Sequence, residues 1–81
     1  MRQLLTNSRQ LGKILTARRR ALKQSQRVIA AKMAISQNRL SELETYPAKL
    51  TVERLLELAN LLGLELLVQD KQPHSSKDRE W

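Results

Sequence analysis

Apolar residues in this chain recur first at helical intervals and then, near the end, at every second position. Leu11, Ile14, Leu15 and Leu22 share one helical face, and the aliphatic stem of Arg18 extends it. Asn7 followed by Gln10 has the spacing of a capping box, so this first helix is expected to begin near Ser8. Residues 1–6 form a short lead, with Leu4 and Leu5 available to lie against the core. Ser25 is the natural cap of a second helix over roughly residues 26–33, burying Val28 or Ile29 together with Ala30 and Met33. Ser36 caps a third over roughly residues 37–44, burying Leu40 and Leu43. Pro47 disfavours helix in the residue before it, so residues 46–50 read as a loop. Thr51 then caps a fourth helix with Glu53 in its first turn. Its stripe of Val52, Leu55, Leu56, Leu58, Ala59 and Leu62 is wider than a small bundle needs, and Gly63 ends it.

The period changes after Gly63. Leu64, Leu66 and Val68 alternate toward one side, which favours a strand over residues 64–69, the alternative being a continued helix. A lone strand has no partner inside an otherwise helical chain, and an unpaired edge is costly or adhesive. The economical resolution is a homodimer in which two copies pair this strand across a two-fold axis, with Leu64, Leu66 and Val68 at the interface. From Lys71 the composition turns polar, with Pro73, Ser75 and Ser76 among mixed charges, as expected of a flexible tail. The expected organisation is one folded domain over residues 1–70, which carries the dimer contacts, and a tail over residues 71–81.

Within residues 26–45 the spacing is more specific than amphipathicity. Ala30, Ala34, Ile35, Leu40 and Leu43 fall where a helix-turn-helix needs a small residue at the helix crossing and apolar residues facing a shared core. Such a unit presents its second helix outward, able to enter a DNA major groove. Ala34 stands at the turn position that glycine usually fills; a positive φ there costs alanine about 1 kcal/mol.

Charge points the same way. Residues 1–39 hold ten Lys and Arg and no acid, whereas the remainder holds five basic residues against eight acidic ones. A polyanion therefore meets one part of this protein far more favourably than another. For Arg18, Arg19 and Arg20 a merely solvated helix face is an equal alternative. At 81 residues the chain supports one domain with a small core, aliphatic because Tyr46 and Trp81 are its only aromatics. The absence of cysteine removes disulfide and thiolate-metal staples, so stability rests on packed leucines or on association. No apolar run resembles a signal peptide or approaches a membrane span, and a cytoplasmic, nucleoid-associated protein with no membrane partner is expected. No nucleophile–base pair, metal-ligand cluster or phosphate-cradling glycine loop stands in a chain with two glycines, so neither an enzyme nor a metal or cofactor is expected. His74 alone in a polar segment is neither ligand nor base.

In the docked geometry of this motif the start of the third helix meets base edges. Gln37 and Asn38 can pair with adenine, Arg39 with guanine or a phosphate, and Ser36 and Ser41 offer short donors. Ser25, Gln26 and Arg27, with the backbone N–H groups that open the second helix, are expected to grip phosphate. Lys49 is a candidate backbone contact from the loop beyond.

The segment from Ser25 to Glu44, S-Q-x-x-I-A-x-K-M-A-I-S-Q-N-x-L-S-x-L-E, resembles the Cro/CI-like (XRE) family of helix-turn-helix repressors. Three later features narrow the likeness to the HipB-type antitoxins. They are E-T-Y-P from Glu44 to Pro47, L-x-L-x-V-x-D from Leu64 to Asp70, and the ending Glu80-Trp81. The resemblance implies a mainly α, compact fold of four to five helices with a short C-terminal strand. It further implies a dimeric repressor on palindromic operators in its own promoter, and a complex with a HipA-type serine/threonine kinase toxin. Trp81 is then a candidate partner anchor, with solvent as the equal alternative. Two other readings stay open: a module that mainly masks a toxin with weak DNA binding, and a stand-alone phage-like repressor. Because Ala34 departs from the usual glycine and Asn38 and Arg39 stand at variable places, no operator sequence carries over.

Overall fold

In the computed structural model, which describes residues 1–71, four α-helices and one 3-10 turn follow one another in chain order. They are α1 (Ser8–Ala21), α2 (Gln26–Lys32), α3 (Gln37–Thr45) and α4 (Val52–Leu61), with the 3-10 turn Pro47–Lys49 between the last two. Every N-terminus is capped by the residue its sequence offers. Asn7 Oδ1 accepts from the Gln10 N–H at 2.9 Å, Ser25 Oγ from Val28 at 3.1 Å, Ser36 Oγ from Arg39 at 3.0 Å and Thr51 Oγ1 from Arg54 at 3.1 Å. The box at α1 reaches one residue further than usual: Gln10 Oε1 accepts from the Thr6 N–H at 2.8 Å.

Three of the four helices end in the same device. After α4, Leu64 N–H donates to Ala59 O and Gly63 N–H to Asn60 O, the paired bonds of a Schellman motif, with Gly63 at φ 69°. After α2 the same two bonds run from Ile35 to Ala30 and from Ala34 to Ala31, and after α1 from Gln24 to Arg19 and from Lys23 to Arg20. The left-handed residue at these two ends is not glycine: Ala34 and Lys23 both sit at φ 57°. The turn of the helix-turn-helix thus requires the positive φ its spacing implies, and alanine bears the strain.

Leu15, Ile29, Ala30, Met33, Leu40, Leu58 and Leu62 form one buried cluster, with Leu11, Ile35, Leu50, Leu55, Leu61 and Leu64 packed around it. The choice between Val28 and Ile29 falls to Ile29, since Val28 remains exposed. Burying a Leu or Ile side chain contributes roughly 1.5–3 kcal/mol, and this aliphatic cluster is the main cohesive term available to so short a chain. Gly12 sets the spacing of α1 against the end of α3. A Cβ there would lie 2.5 Å from the Glu44 carbonyl oxygen and 2.9 Å from Pro47 Cγ. Two arginines finish the packing by closing helix ends: Arg18 Nε donates to Leu62 O at 2.8 Å and Arg54 Nη1 to Met33 O at 3.0 Å.

The single chain differs from the sequence reading at its C-terminal segment and in its N-terminal lead. Residues 64–71 form neither helix nor strand. A strand needs a neighbour to complete its ladder, and no strand among the described residues supplies one. Leu64 is half-buried against the monomer's own core, so of the three residues expected at a dimer interface only Leu66 and Val68 are exposed. Leu4 and Leu5 are likewise exposed instead of covered. The wide stripe of α4 resolves into an inward Leu58, Ala59 and Leu62 and an outward Val52 and Leu56. The expected tail beyond Lys71, with Trp81, lies outside the described residues.

The strain at the turn is directly measurable. Ala34→Gly should raise the unfolding free energy by about 1 kcal/mol and the melting temperature by roughly 4–8 °C for a domain of this size. Thermal melts followed by circular dichroism check this, and an unchanged or lowered midpoint would contradict the left-handed conformation.

Candidate nucleic-acid interface

Two helix starts, α2 and α3, define the surface in question. Neither first turn carries an acidic side chain, so the positive end of each helix is not offset locally. On α3, Leu40, Leu43 and Glu44 turn inward and are buried, which leaves Gln37, Asn38 and Arg39 exposed and Ser41 and Glu42 half-exposed. Asn38 and Glu42 lie one turn apart on the outward side. Thr45, one turn beyond Ser41, donates its hydroxyl to the Ser41 carbonyl at 2.9 Å. Among the other expected contacts Ser25, Arg27, Ser36 and Lys49 are exposed, while Gln26 is half-buried. No side chain expected to meet a base is enclosed by the protein's own interior.

What orients this surface is a buried polar cluster. Arg19, from the last turn of α1, meets Glu44 near the end of α3 in a bidentate pair: Nε donates to Oε2 at 2.7 Å and Nη2 to Oε1 at 3.1 Å. Its third nitrogen is used as well, since Nη1 reaches Gln24 O at 3.0 Å. Gln26, at the start of α2, donates its amide to Glu44 Oε1 at 2.9 Å. One carboxylate therefore links α1, α2 and α3. Burial by itself pushes the Glu44 carboxyl up; the Arg19 guanidinium, the Gln26 amide and the Thr16 hydroxyl more than offset this and hold it below its ordinary value. Among the described residues no buried side-chain nitrogen or oxygen lacks a hydrogen-bond partner.

This cluster changes the account of Gln26. One of its two amide hydrogens is committed to Glu44, so it faces any phosphate as a held group with one donor left. It also settles the arginine triplet. Arg19 is interior, Arg18 closes α4, and Arg20 is exposed.

A second, exposed network lies on the outer side of α3. Glu42 Oε1 accepts from Arg39 Nη1 and Oε2 from Lys49 Nζ, each at 2.6 Å, and Lys49 lies 5.5 Å from the centre of the Tyr46 ring. The Lys49 and Arg39 hydrogen bonds hold the Glu42 carboxyl below its usual value. Elsewhere in the first half Arg9, Lys13, Arg20, Lys23, Arg27 and Lys32 are all exposed, so that half remains a solvent-facing basic field even after Arg18 and Arg19 are spent on packing. Sequence reasoning did not single out Glu42, Gly12 or Lys23, and it weighed Arg19 only as part of a basic triplet, not as an interior group. Gly12 carried a signal, an isolated glycine inside a helical pattern; Arg19 and Glu44 carried none, because they are 25 positions apart.

Two helices meeting at a tight turn, the second displayed outward beside a basic field, define a DNA-binding module of the helix-turn-helix class. The family model for helix-turn-helix domains of the XRE type matches residues 15–68, two thirds of the chain and the whole of α2, α3 and α4. The chain belongs to this family of DNA-binding transcription regulators. No curated protein and no solved structure matches the chain. No helix among the described residues is long and apolar enough to cross a membrane, and these residues hold no group of three or more His, Cys, Asp or Glu placed to bind a metal ion.

The cluster predicts an acid-sensitive fold. The folded-state pKa of Glu44 is depressed, so the stability it contributes is complete above its unfolded value near 4.5 and drains away as pH falls below it. Glu44→Gln leaves Arg19 charged and unpaired in the interior, which should cost about 3–5 kcal/mol. Urea titrations at neutral and acidic pH would show the wild type losing stability on acidification and the variant losing much less. Equal acid losses would remove Glu44 from this role.

Proposed function

We propose that the protein is a sequence-specific repressor that binds a palindromic operator as a homodimer and serves as the antitoxin of a HipA-type kinase. The observation that carries the DNA-binding half is the display of Gln37, Asn38 and Arg39 on the exposed start of α3, beside the basic field of α1 and α2. In this reading Gln37 and Asn38 read adenine through paired donor and acceptor, and Arg39 reads guanine or holds a phosphate. Ser36 and Ser41 supply short donors to base edges or phosphate. Ser25, Gln26 and Arg27 grip the backbone on one side of the groove, and Lys49 on the other. The buried Glu44 cluster keeps the starts of α2 and α3 in register, so phosphate contacts made by one fix how the other enters the groove.

Dimerisation is supported by what the single chain leaves uncovered. Leu66 is 41% exposed, Leu67 71% and Val68 97%, alongside exposed Met1, Leu4, Leu5 and Leu56. These residues border an open groove between the N-terminal lead, α1, α4 and residues 63–69. That much exposed aliphatic surface on a domain of this size marks an interface. Residues 65–69 make no backbone hydrogen bond to a helix, and pairing with a two-fold mate as a shared antiparallel ribbon would satisfy both copies. Leu66 and Val68 then face the mate, while Leu64 secures each ribbon to its own core. A two-fold dimer presents two α3 helices, which a palindromic site about one helical turn between half-site centres accommodates.

The antitoxin half rests on the likeness to HipB-type proteins in the Glu44 to Pro47 loop and the Leu64 to Asp70 segment. Trp81 suits an anchor in a groove of the kinase. Autoregulation in the cytoplasm, at the nucleoid, follows from one protein binding both its promoter and its toxin. A reading frame beside this gene that encodes such a kinase is the accompanying expectation.

The DNA reading is tested by gel shift on the native promoter. Binding should weaken steeply between low and moderate salt, and Gln37→Ala with Asn38→Ala should abolish sequence preference while leaving non-specific affinity. Binding that ignores salt, or is absent, would leave only a masking role. Sedimentation tests the pairing independently: Leu66→Lys should convert the dimer to monomer, and an undisturbed dimer would rule out the shared ribbon.

A further inference from the structure

The first acidic residue in the chain is Glu42, and it stands on the outward side of the helix that meets DNA. An acid there weakens attraction to every phosphate, so its presence calls for a compensating effect. Fold stability does not supply one, because ion pairs as open to solvent as these contribute little. Geometry does. Each carboxylate oxygen accepts one short bond, Oε1 from Arg39 three residues earlier on α3 and Oε2 from Lys49 on the 3-10 turn. The carboxylate therefore spans from the start of the recognition helix to the loop that follows it. Two long cationic side chains that would otherwise repel each other and sample many rotamers are held side by side, with Lys49 further steadied over Tyr46.

We propose that Glu42 is a positioning residue that holds Arg39 and Lys49 as a fixed pair, trading non-specific attraction for sequence preference. This rests on the DNA-binding reading above. Ordering a long side chain on binding costs entropy, and a pair ordered in advance loses less when it docks. The advantage accrues only where the DNA offers acceptors that match the fixed geometry. Elsewhere the acid at the centre simply lowers affinity. Glu42 thus separates right sites from wrong ones without touching a base itself.

The test compares wild type, Glu42→Gln, the double variant Arg39→Ala/Lys49→Ala, and the triple combination. Each is titrated by fluorescence anisotropy onto a duplex from the native promoter and a scrambled duplex of equal length. Glu42→Gln should raise affinity for the scrambled duplex about two- to threefold, lower the ratio of promoter to scrambled affinity about five- to tenfold, and have no further effect on that ratio in the double-variant background. A parallel rise on both duplexes with the ratio intact would reduce Glu42 to a plain charge and overturn the proposal. A ratio that still falls in the double-variant background would make Glu42 a direct reader of bases, which overturns it equally. NMR titration of the Glu42 carboxyl in free protein separates this idea from its foundation. The carboxyl should titrate below its usual range and return to it in the double variant. If it does not, the network fails while DNA binding stands; if wild type shows no promoter preference, the DNA reading fails and takes the proposal with it.

Discussion

The bidentate contact between Arg19 and Glu44, sealed from solvent and joined by Gln26, is the constraint from which the arrangement of the recognition surface follows. α2 has seven residues, too few to be stable alone, and α3 is little longer. Their mutual angle must be imposed by tertiary contact. Packing of Ile29, Ala30 and Leu40 supplies cohesion, but aliphatic contacts tolerate sliding. A guanidinium meeting a carboxylate through two parallel hydrogen bonds does not. By drawing α1, the start of α2 and the end of α3 onto one carboxylate, the protein converts a burial cost into directional control.

The same economy governs the other charges. Arg18 and Arg54 donate to the carbonyls that end α4 and α2, positions where a cation meets the negative end of a helix. Arg39 and Lys49 are tethered to Glu42. A simple count of basic residues therefore overstates the cations free to meet phosphate, although Arg9, Lys13, Arg20, Lys23, Arg27 and Lys32 still leave the first half of the chain strongly basic at its surface. The cations thus fall into two sets: exposed, untethered ones that create the long-range field, and held ones that close helix ends or pair with Glu42.

How much was legible from residues alone depended on the reach of each interaction. The four caps at Asn7, Ser25, Ser36 and Thr51 were readable because a capping bond spans three residues. The strain at Ala34 was readable because the motif's turn specifies a positive φ at that place. Lys23 adopts the same conformation unannounced, since nothing about a lysine advertises a left-handed turn. Periodicity found the stripe of α4 but not which of its apolar residues face inward, because a stripe that wide fits more than one rotation of the helix. Alternation after Gly63 suggested a strand, yet a strand is a property of two segments, and one chain offers only one.

Local order was thus written into the sequence: where each helix starts, which stretch forms the helix-turn-helix, and which half carries the positive charge all follow from neighbours a few positions apart. The tertiary structure alone decided that Arg19 is interior while Arg20 is not, that Gly12 must lack a side chain to let α1 approach the Glu44 carbonyl, and that Glu42 joins Arg39 to Lys49. Those outcomes depend on how helices cross, and a crossing angle is set by packing among residues far apart in the chain.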